Sequence, residues 1–112
     1  MHTGTAPGCL DFSVSVTAAD GVAIVEVAGE LDAFTSPQLR TALCELESQG
    51  ARHVTLDLGG THFVDSTGLS VLVGGLRRLR DTGGDMVVRS PTASTLRLFD
   101  VTGLRRIFDL EE

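Results

Sequence analysis

Apolar and polar residues alternate over residues 10–17, with Leu10, Phe12, Val14 and Val16 on one side and Asp11, Ser13, Ser15 and Thr17 on the other. A period of two predicts a half-buried strand. Asp20-Gly21 supplies a hairpin turn, and residues 22–28, rich in β-branched side chains, form a second expected strand. Gly29 is expected to break it. In the segment that follows, Gly-Glu-Leu-Asp-Ala-Phe-Thr-Ser-Pro-Gln-Leu, Thr35 or Ser36 caps a helix whose first turn accepts Pro37. Thr35 and Gln38 have capping-box spacing. Leu39, Ala42, Leu43 and Leu46 recur at the helical period, and Gly50 ends the element.

Val54, Leu56 and Leu58 alternate with His53, Thr55 and Asp57, which predicts a third strand, with Gly59-Gly60-Thr61 opening a loop. Leu69, Leu72, Val73, Leu76 and Leu79 mark a second helix, ended by Gly83-Gly84. Gly74-Gly75 in its middle costs about 1 kcal/mol each relative to Ala, which implies close backbone packing. Residues 86–89 read as a fourth strand. Pro91 starts a third helix that Gly103 stops, and Leu104, Ile107 and Phe108 of the closing segment are available for the core. The order β-β-α-β-α-β-α gives an α/β class with a mixed sheet of four to five strands and helices packed on it. Residues 1–8 read as a flexible N-terminal tail and residues 9–112 as a single domain.

Composition narrows the function classes. Of 112 residues, 42% are hydrophobic and none is Trp or Tyr, so Leu, Val, Ile and Ala must fill the core. Aromatic platforms for single-stranded nucleic acid are missing. The net charge is −6, and all nine basic residues are Arg. An acidic chain disfavours nonspecific binding to nucleic acid and to anionic lipid, so neither is expected as a partner. The densest positive patch, Arg77-Arg78-Leu79-Arg80, reads as a solvated helix face. Cys9 directly follows the expected tail, Cys44 reads as a small core residue, and no metal-binding spacing joins them to histidine. No signal peptide is recognisable, and the longest apolar run is far short of the roughly 20 residues of a membrane span. A cytoplasmic protein is expected.

The candidate chemistry lies in Phe-Val-Asp-Ser-Thr-Gly-Leu-Ser, residues 63–70. Asp65 or Ser66 can accept a backbone N–H of the second helix, so capping alone accounts for an Asp or Ser here. The motif also lies beyond the carboxyl end of a strand, the edge at which open α/β sheets carry their sites. Thr61-His62 makes the approach polar, Phe63-Val64 anchors it, and Gly68 places no bulky side chain beside it. Capping and chemistry both remain open on this local reading. Enzymatic readings lack parts. A serine nucleophile needs an oriented base, and none of His2, His53 and His62 has an evident orienting partner. The chain has no Lys to follow Gly59-Gly60 or Gly83-Gly84, so a phosphate-cradling loop is absent too. No cofactor or metal is expected.

The segments Gly-Glu-Leu-Asp-Ala-Phe-Thr-Ser-Pro-Gln-Leu, Phe-Val-Asp-Ser-Thr-Gly-Leu-Ser-Val-Leu and Leu-Arg-Leu-Phe-Asp-Val-Thr-Gly-Leu-Arg-Arg-Ile-Phe occur here in the order found in the STAS family. Over about residues 10–110 the chain most resembles its stand-alone bacterial anti-sigma factor antagonists. The resemblance implies the STAS fold, no catalysis, and a partner that is both an anti-sigma factor and a serine/threonine kinase. When unphosphorylated, such antagonists hold that kinase and the sigma factor goes free to activate transcription. Phosphorylation at Asp-Ser-[Ser/Thr]-Gly-Leu switches them off, and a serine phosphatase reverses it.

The phosphorylated serine corresponds to Ser66, with Thr67 as the secondary candidate. Gly29, Glu30, Leu31 and Asp32 match the family's second signature. The partner-binding residues implied are Gly29, Glu30, Asp32, Asp65, Ser66, Thr67, Gly68 and Leu69. A monomer is expected by the same likeness. An alternative is a STAS subunit that is never phosphorylated and docks constitutively in a lipid-transport or signalling assembly. Binding of a small molecule or nucleotide at the sheet's edge loops is a third class. If Ser66 is the cap, Ser66→Ala is expected to lose about 0.5–2 kcal/mol of stability.

Overall fold

Tracing the parallel strands of the computed structural model, which describes residues 12–111, locates every helix on one side of the sheet. The expected tail, Cys9 and the start of the first expected strand lie outside the described residues. The strands are β1 (Ser13–Ala19), β2 (Val22–Leu31), β3 (His53–Val64), β4 (Asp85–Arg89) and β5 (Asp109–Glu111). They lie in the order β1-β2-β3-β4-β5, antiparallel between β1 and β2 and parallel thereafter. The connecting helices are α1 (Ser36–Ser48), α2 (Ser66–Asp81) and α3 (Ala93–Thr102), the last followed by a single 3-10 turn at Leu104–Arg106. Each crossover steps the same way across the sheet, so right-handed connections place all three helices on one face. This is the expected mixed α/β architecture, with β5 as its fifth strand.

The covered face follows from strand alternation. Val25, Leu56 and Val88 share one row of the register, and Ala23, Val54 and Met86 share another; all six are buried. Leu39, Leu43 and Leu46 of α1 and Leu69, Leu72, Leu76 and Leu79 of α2 close over them. Gly75 lets α2 approach: a Cβ there would lie 3.1 Å from both Leu43 Cδ1 and Met86 Cε. Phe99 stacks on Phe108 at 5.4 Å and is fully buried, which ties α3 to the chain's closing segment. Arg78 pairs with Glu47 at 2.8 Å and Arg80 with Asp85 at 3.1 Å, so part of the basic cluster is spent on ion pairs at the surface.

Several expectations are corrected. Gly29 does not break β2, and Gly59-Gly60 does not open a loop: both strands run on to Leu31 and Val64. The register between them shifts twice, because β3 holds one extra residue between Asp57 and Gly60 and another between Thr61 and Phe63. Such bulges bend a strand without ending it. The buried Thr61 hydroxyl donates to the Val27 carbonyl at 2.8 Å beside the first shift. Cys44 is exposed, because it follows Leu43 and falls about 100° off the apolar stripe of α1. Ile107 is also exposed, while Phe108 takes the core position. Helix α3 starts at Ala93 rather than Pro91, with the Thr92 hydroxyl accepting from Thr95 N–H.

Two outcomes test these assignments. Gly29 is buried at φ +101°, a conformation that side chains disfavour, so Gly29→Ala should lose about 1–3 kcal/mol in urea unfolding. Asp85 opens β4. Burial pushes its carboxyl up, but the Met86 N–H and the Arg80 guanidinium outweigh burial and hold it below its ordinary 3.8. The folded state therefore binds this proton more weakly than the unfolded state, and the contribution is lost as pH falls through the folded value. Asp85→Asn should flatten the loss of stability below about pH 4 in acid titrations followed by circular dichroism.

Candidate functional site

The two signature segments meet because β2 and β3 are neighbours that end together. Leu31 is the register partner of Val64, and Glu30 that of Phe63. The ladder then passes directly into the next element: Asp65 N–H donates to the Leu31 carbonyl at 3.0 Å. Beyond that bond the chain from β2 turns into α1 and the chain from β3 into α2. The Gly-Glu-Leu-Asp segment and the Asp-Ser-Thr-Gly segment thus form one edge of the sheet.

Asp32 organises the first of these turns. Its Oδ1 accepts from Phe34 N–H at 2.9 Å and from Thr35 N–H at 3.1 Å. The Thr35 hydroxyl accepts from Asp32 N–H at 2.9 Å. Its one proton goes to the Glu30 carbonyl, which lies closer, at 2.7 Å, than Asp32 Oδ1, at 3.1 Å. Thr35 is the N-cap residue of α1 by position, but its side chain does not cap the helix. The expected capping box with Gln38 is absent because that hydroxyl is engaged in the turn before the helix.

At the start of α2 the cap is Asp65. It is extended, at φ −100° and ψ −175°, and its Oδ1 accepts from Gly68 N–H at 2.9 Å. Ser66 is therefore the first helical residue and not the cap, which corrects the local reading. Its side chain is exposed and forms no hydrogen bond to another described residue. The N–H groups of Ser66 and Thr67 likewise have no partner among the described residues, as expected of a first turn. Gly68 is buried against β2: a Cβ would stand 2.8 Å from Leu31 Cγ and 3.0 Å from the Leu31 carbonyl oxygen. A bulkier residue would push the helix start off the strand. Gly68 thus does more than leave the motif uncovered; it sets the distance between the signatures.

Of the candidate residues, Glu30, Ser66 and Thr67 are exposed, Asp32 and Asp65 are half-buried, and Gly29, Gly68 and Leu69 are buried. The buried three shape the edge from beneath. Val64 anchors it as expected, but Phe63 is 49% exposed and does not. Thr35 reads from the sequence as a helix cap; its part in closing the turn with Asp32 was signalled only by its place three residues further on, a spacing typical of side-chain to backbone turns. Sequence reasoning passed over Phe34, which is 93% exposed on the turn that Asp32 closes. Exposure of that kind has no signature in periodicity. Among the described residues no group of three or more His, Cys, Asp or Glu side chains is placed to hold a metal ion. No helix of the described residues is long and apolar enough to cross a membrane.

The STAS domain model matches residues 13–112. The chain belongs to the STAS-domain family. It is 35% identical over 101 residues to the anti-sigma-B factor antagonist of Bacillus subtilis, covering 90% of this chain and 92% of that one. The crystal structure of an anti-sigma factor antagonist from Mycobacterium paratuberculosis superposes with a TM-score of 0.81 at 29% identity, covering 90% of this chain and 86% of that one. The Bacillus cell fate determinant SpoIIAA in its phosphorylated form shares the fold, with a TM-score of 0.71 at 21% identity and coverage of 91% and 92%. Two of the segments on which the family resemblance was drawn fall on the edge where β2 and β3 end.

This geometry separates three neighbouring substitutions. Asp65→Ala removes a cap and should cost about 0.5–2 kcal/mol. Gly68→Ala forces Leu31 or the helix start to move and should cost about 1–3 kcal/mol. Ser66→Ala breaks no internal bond, so its unfolding midpoint should stay within about 0.5 kcal/mol of wild type. Chemical denaturation of the three variants measures the order.

Proposed function

We propose that this STAS-domain protein is an anti-sigma factor antagonist switched by phosphorylation of Ser66. Unphosphorylated, it binds an anti-sigma factor that is also a serine/threonine kinase, and the sigma factor is released to activate transcription. Phosphate on Ser66, placed by that kinase and removed by a serine phosphatase, ends the binding. Thr67 is the secondary acceptor. The protein acts in the cytoplasm as a monomer, by binding and without catalysis of its own. The observation that carries this reading is the exposed, internally unbonded Ser66 hydroxyl on the edge formed by both STAS signatures. Similarity to antagonists over nearly the whole chain supports the class of partner.

The switch follows from electrostatics. Phosphorylation adds about −1.5 to −2 charges at the positive end of the helix dipole. The unpartnered N–H groups of the first turn can face such a group, so the fold tolerates it. SpoIIAA, which has this fold, exists in a phosphorylated form. Across an interface the balance reverses. Asp65 and Glu30 already make this edge acidic, and burying a further dianion against a partner is opposed by desolvation and by any carboxylate it meets. Each 1.4 kcal/mol of that opposition weakens binding about tenfold. The complex is broken while the fold is spared.

Titration against each purified ATP-binding anti-sigma factor encoded in the source genome tests this reading. Wild type should bind one of them and lose it when ATP is added, with phosphopeptide mapping placing the modification on Ser66. Ser66→Ala should keep its partner in the presence of ATP, and Ser66→Asp should bind at least about tenfold more weakly. Equal affinity of wild type, Ser66→Asp and the phosphorylated protein would overturn the switch.

A further inference from the structure

We infer that Phe34 is the apolar anchor by which this edge grips its anti-sigma partner, an inference that rests on the function proposed above. Phe34 is 93% exposed, the most exposed of the large apolar side chains among the described residues, and it stands on the turn between β2 and α1. Single exposed apolar residues are common on protein surfaces. Three further features set this one apart.

The first is rigidity. The Phe34 backbone is fixed by its N–H bond to Asp32 Oδ1, and the flanking residues by the Asp32–Thr35 and Thr35–Glu30 bonds. The ring is displayed from a turn that has already lost its backbone freedom, so little ordering remains to be done on association. Phe also has only two side-chain torsions to fix. An aromatic side chain held out from an ordered turn is the type of residue that carries binding energy at interfaces.

The second is position. Phe34 lies three residues beyond Leu31, whose carbonyl holds Asp65 N–H, so its turn leaves the same sheet edge from which Ser66 leaves. Phe63, 49% exposed, is the register partner of Glu30 on that edge and adds a second apolar surface. Phe34, Phe63 and Ser66 thus all belong to the end of the sheet where β2 and β3 stop.

The third is the surrounding charge. Glu30 is exposed, Asp32 and Asp65 are half-buried, and the chain as a whole is acidic. The complementary surface is an apolar pocket for the Phe34 ring, bordered by Arg or Lys side chains. A hydrophobic centre with a charged rim is the ordinary arrangement of a specific interface. A second copy of this chain offers the wrong rim, since it would bring acid against acid. Phosphate on Ser66 then enters beside an apolar contact, where it cannot be solvated.

The test uses the full chain and the purified anti-sigma factor that wild type binds. Phe34→Ala should weaken binding about 30-fold or more, as loss of a hot spot does, with its unfolding midpoint unchanged because the ring touches no core. Phe34→Tyr should retain most of the affinity, and Phe34→Asp should lose more than Phe34→Ala. Wild-type affinity for Phe34→Ala, alongside weakened Ser66→Asp, overturns the anchor and leaves the switch standing. Failure of wild type to bind any ATP-binding anti-sigma factor overturns the function itself and the anchor with it. Concentration-dependent self-association of wild type that Phe34→Ala abolishes assigns the ring to a contact between copies and also overturns the proposal.

Discussion

The bond on which the edge depends is short and ordinary: Asp65 N–H to the carbonyl of Leu31. It extends the β2–β3 ladder by one step past the last strand residue and delivers the chain into α2. Everything that defines the edge is fixed relative to it. On one side Asp32 folds back on its own turn, and on the other Asp65 caps the helix. Gly68 keeps Leu31 and the helix start in contact, because any Cβ there would collide with them. Two separate stretches of sequence are thereby made into one rigid surface. Removing the side chain at position 68 is what lets the backbone groups come close enough to bond.

That rigidity suits the proposed control by charge. A hydroxyl on the first turn of a helix faces solvent, carries no internal bond and lies beside unpartnered N–H donors. The proposed phosphorylation of that hydroxyl would therefore change the outside of the molecule far more than the inside. Asp65 does the capping in place of Ser66, and this division of labour leaves Ser66 free. The arrangement also explains why the acidic residues on this edge differ in role. Asp32 and Asp65 are half-buried and hold backbone, whereas Glu30 projects.

Most elements were legible in the sequence because they rest on short-range patterns. Alternation at Val54, Leu56 and Leu58 gave β3, and the stripe from Leu69 to Leu79 gave α2. The errors have separate causes. Gly29 and Gly59-Gly60 look like breaks because glycine lowers strand propensity, yet here they accommodate bulges that only pairing with the neighbouring strand can impose. Cys44 looked like core from the apolar-periodic segment around it and was exposed by its angle on the helix. The assignment of the cap to Asp65 rather than Ser66 turned on one residue of helix phase, which local signals do not resolve.

The sequence by itself determined the class of fold, the order of its elements, the family, and the location of the candidate switch at the end of a strand. Those follow from periodicity, from turn residues and from motifs read within a few positions of one another. The tertiary structure alone decided that residues 29–32 and 65–68 form a single edge, that Asp65 and not Ser66 is the cap, and that Phe34 projects from that edge. The reason is physical. A parallel strand pair joins residues more than thirty positions apart, and the register between them, shifted twice by bulges, is settled only when the two strands pack under the same helices.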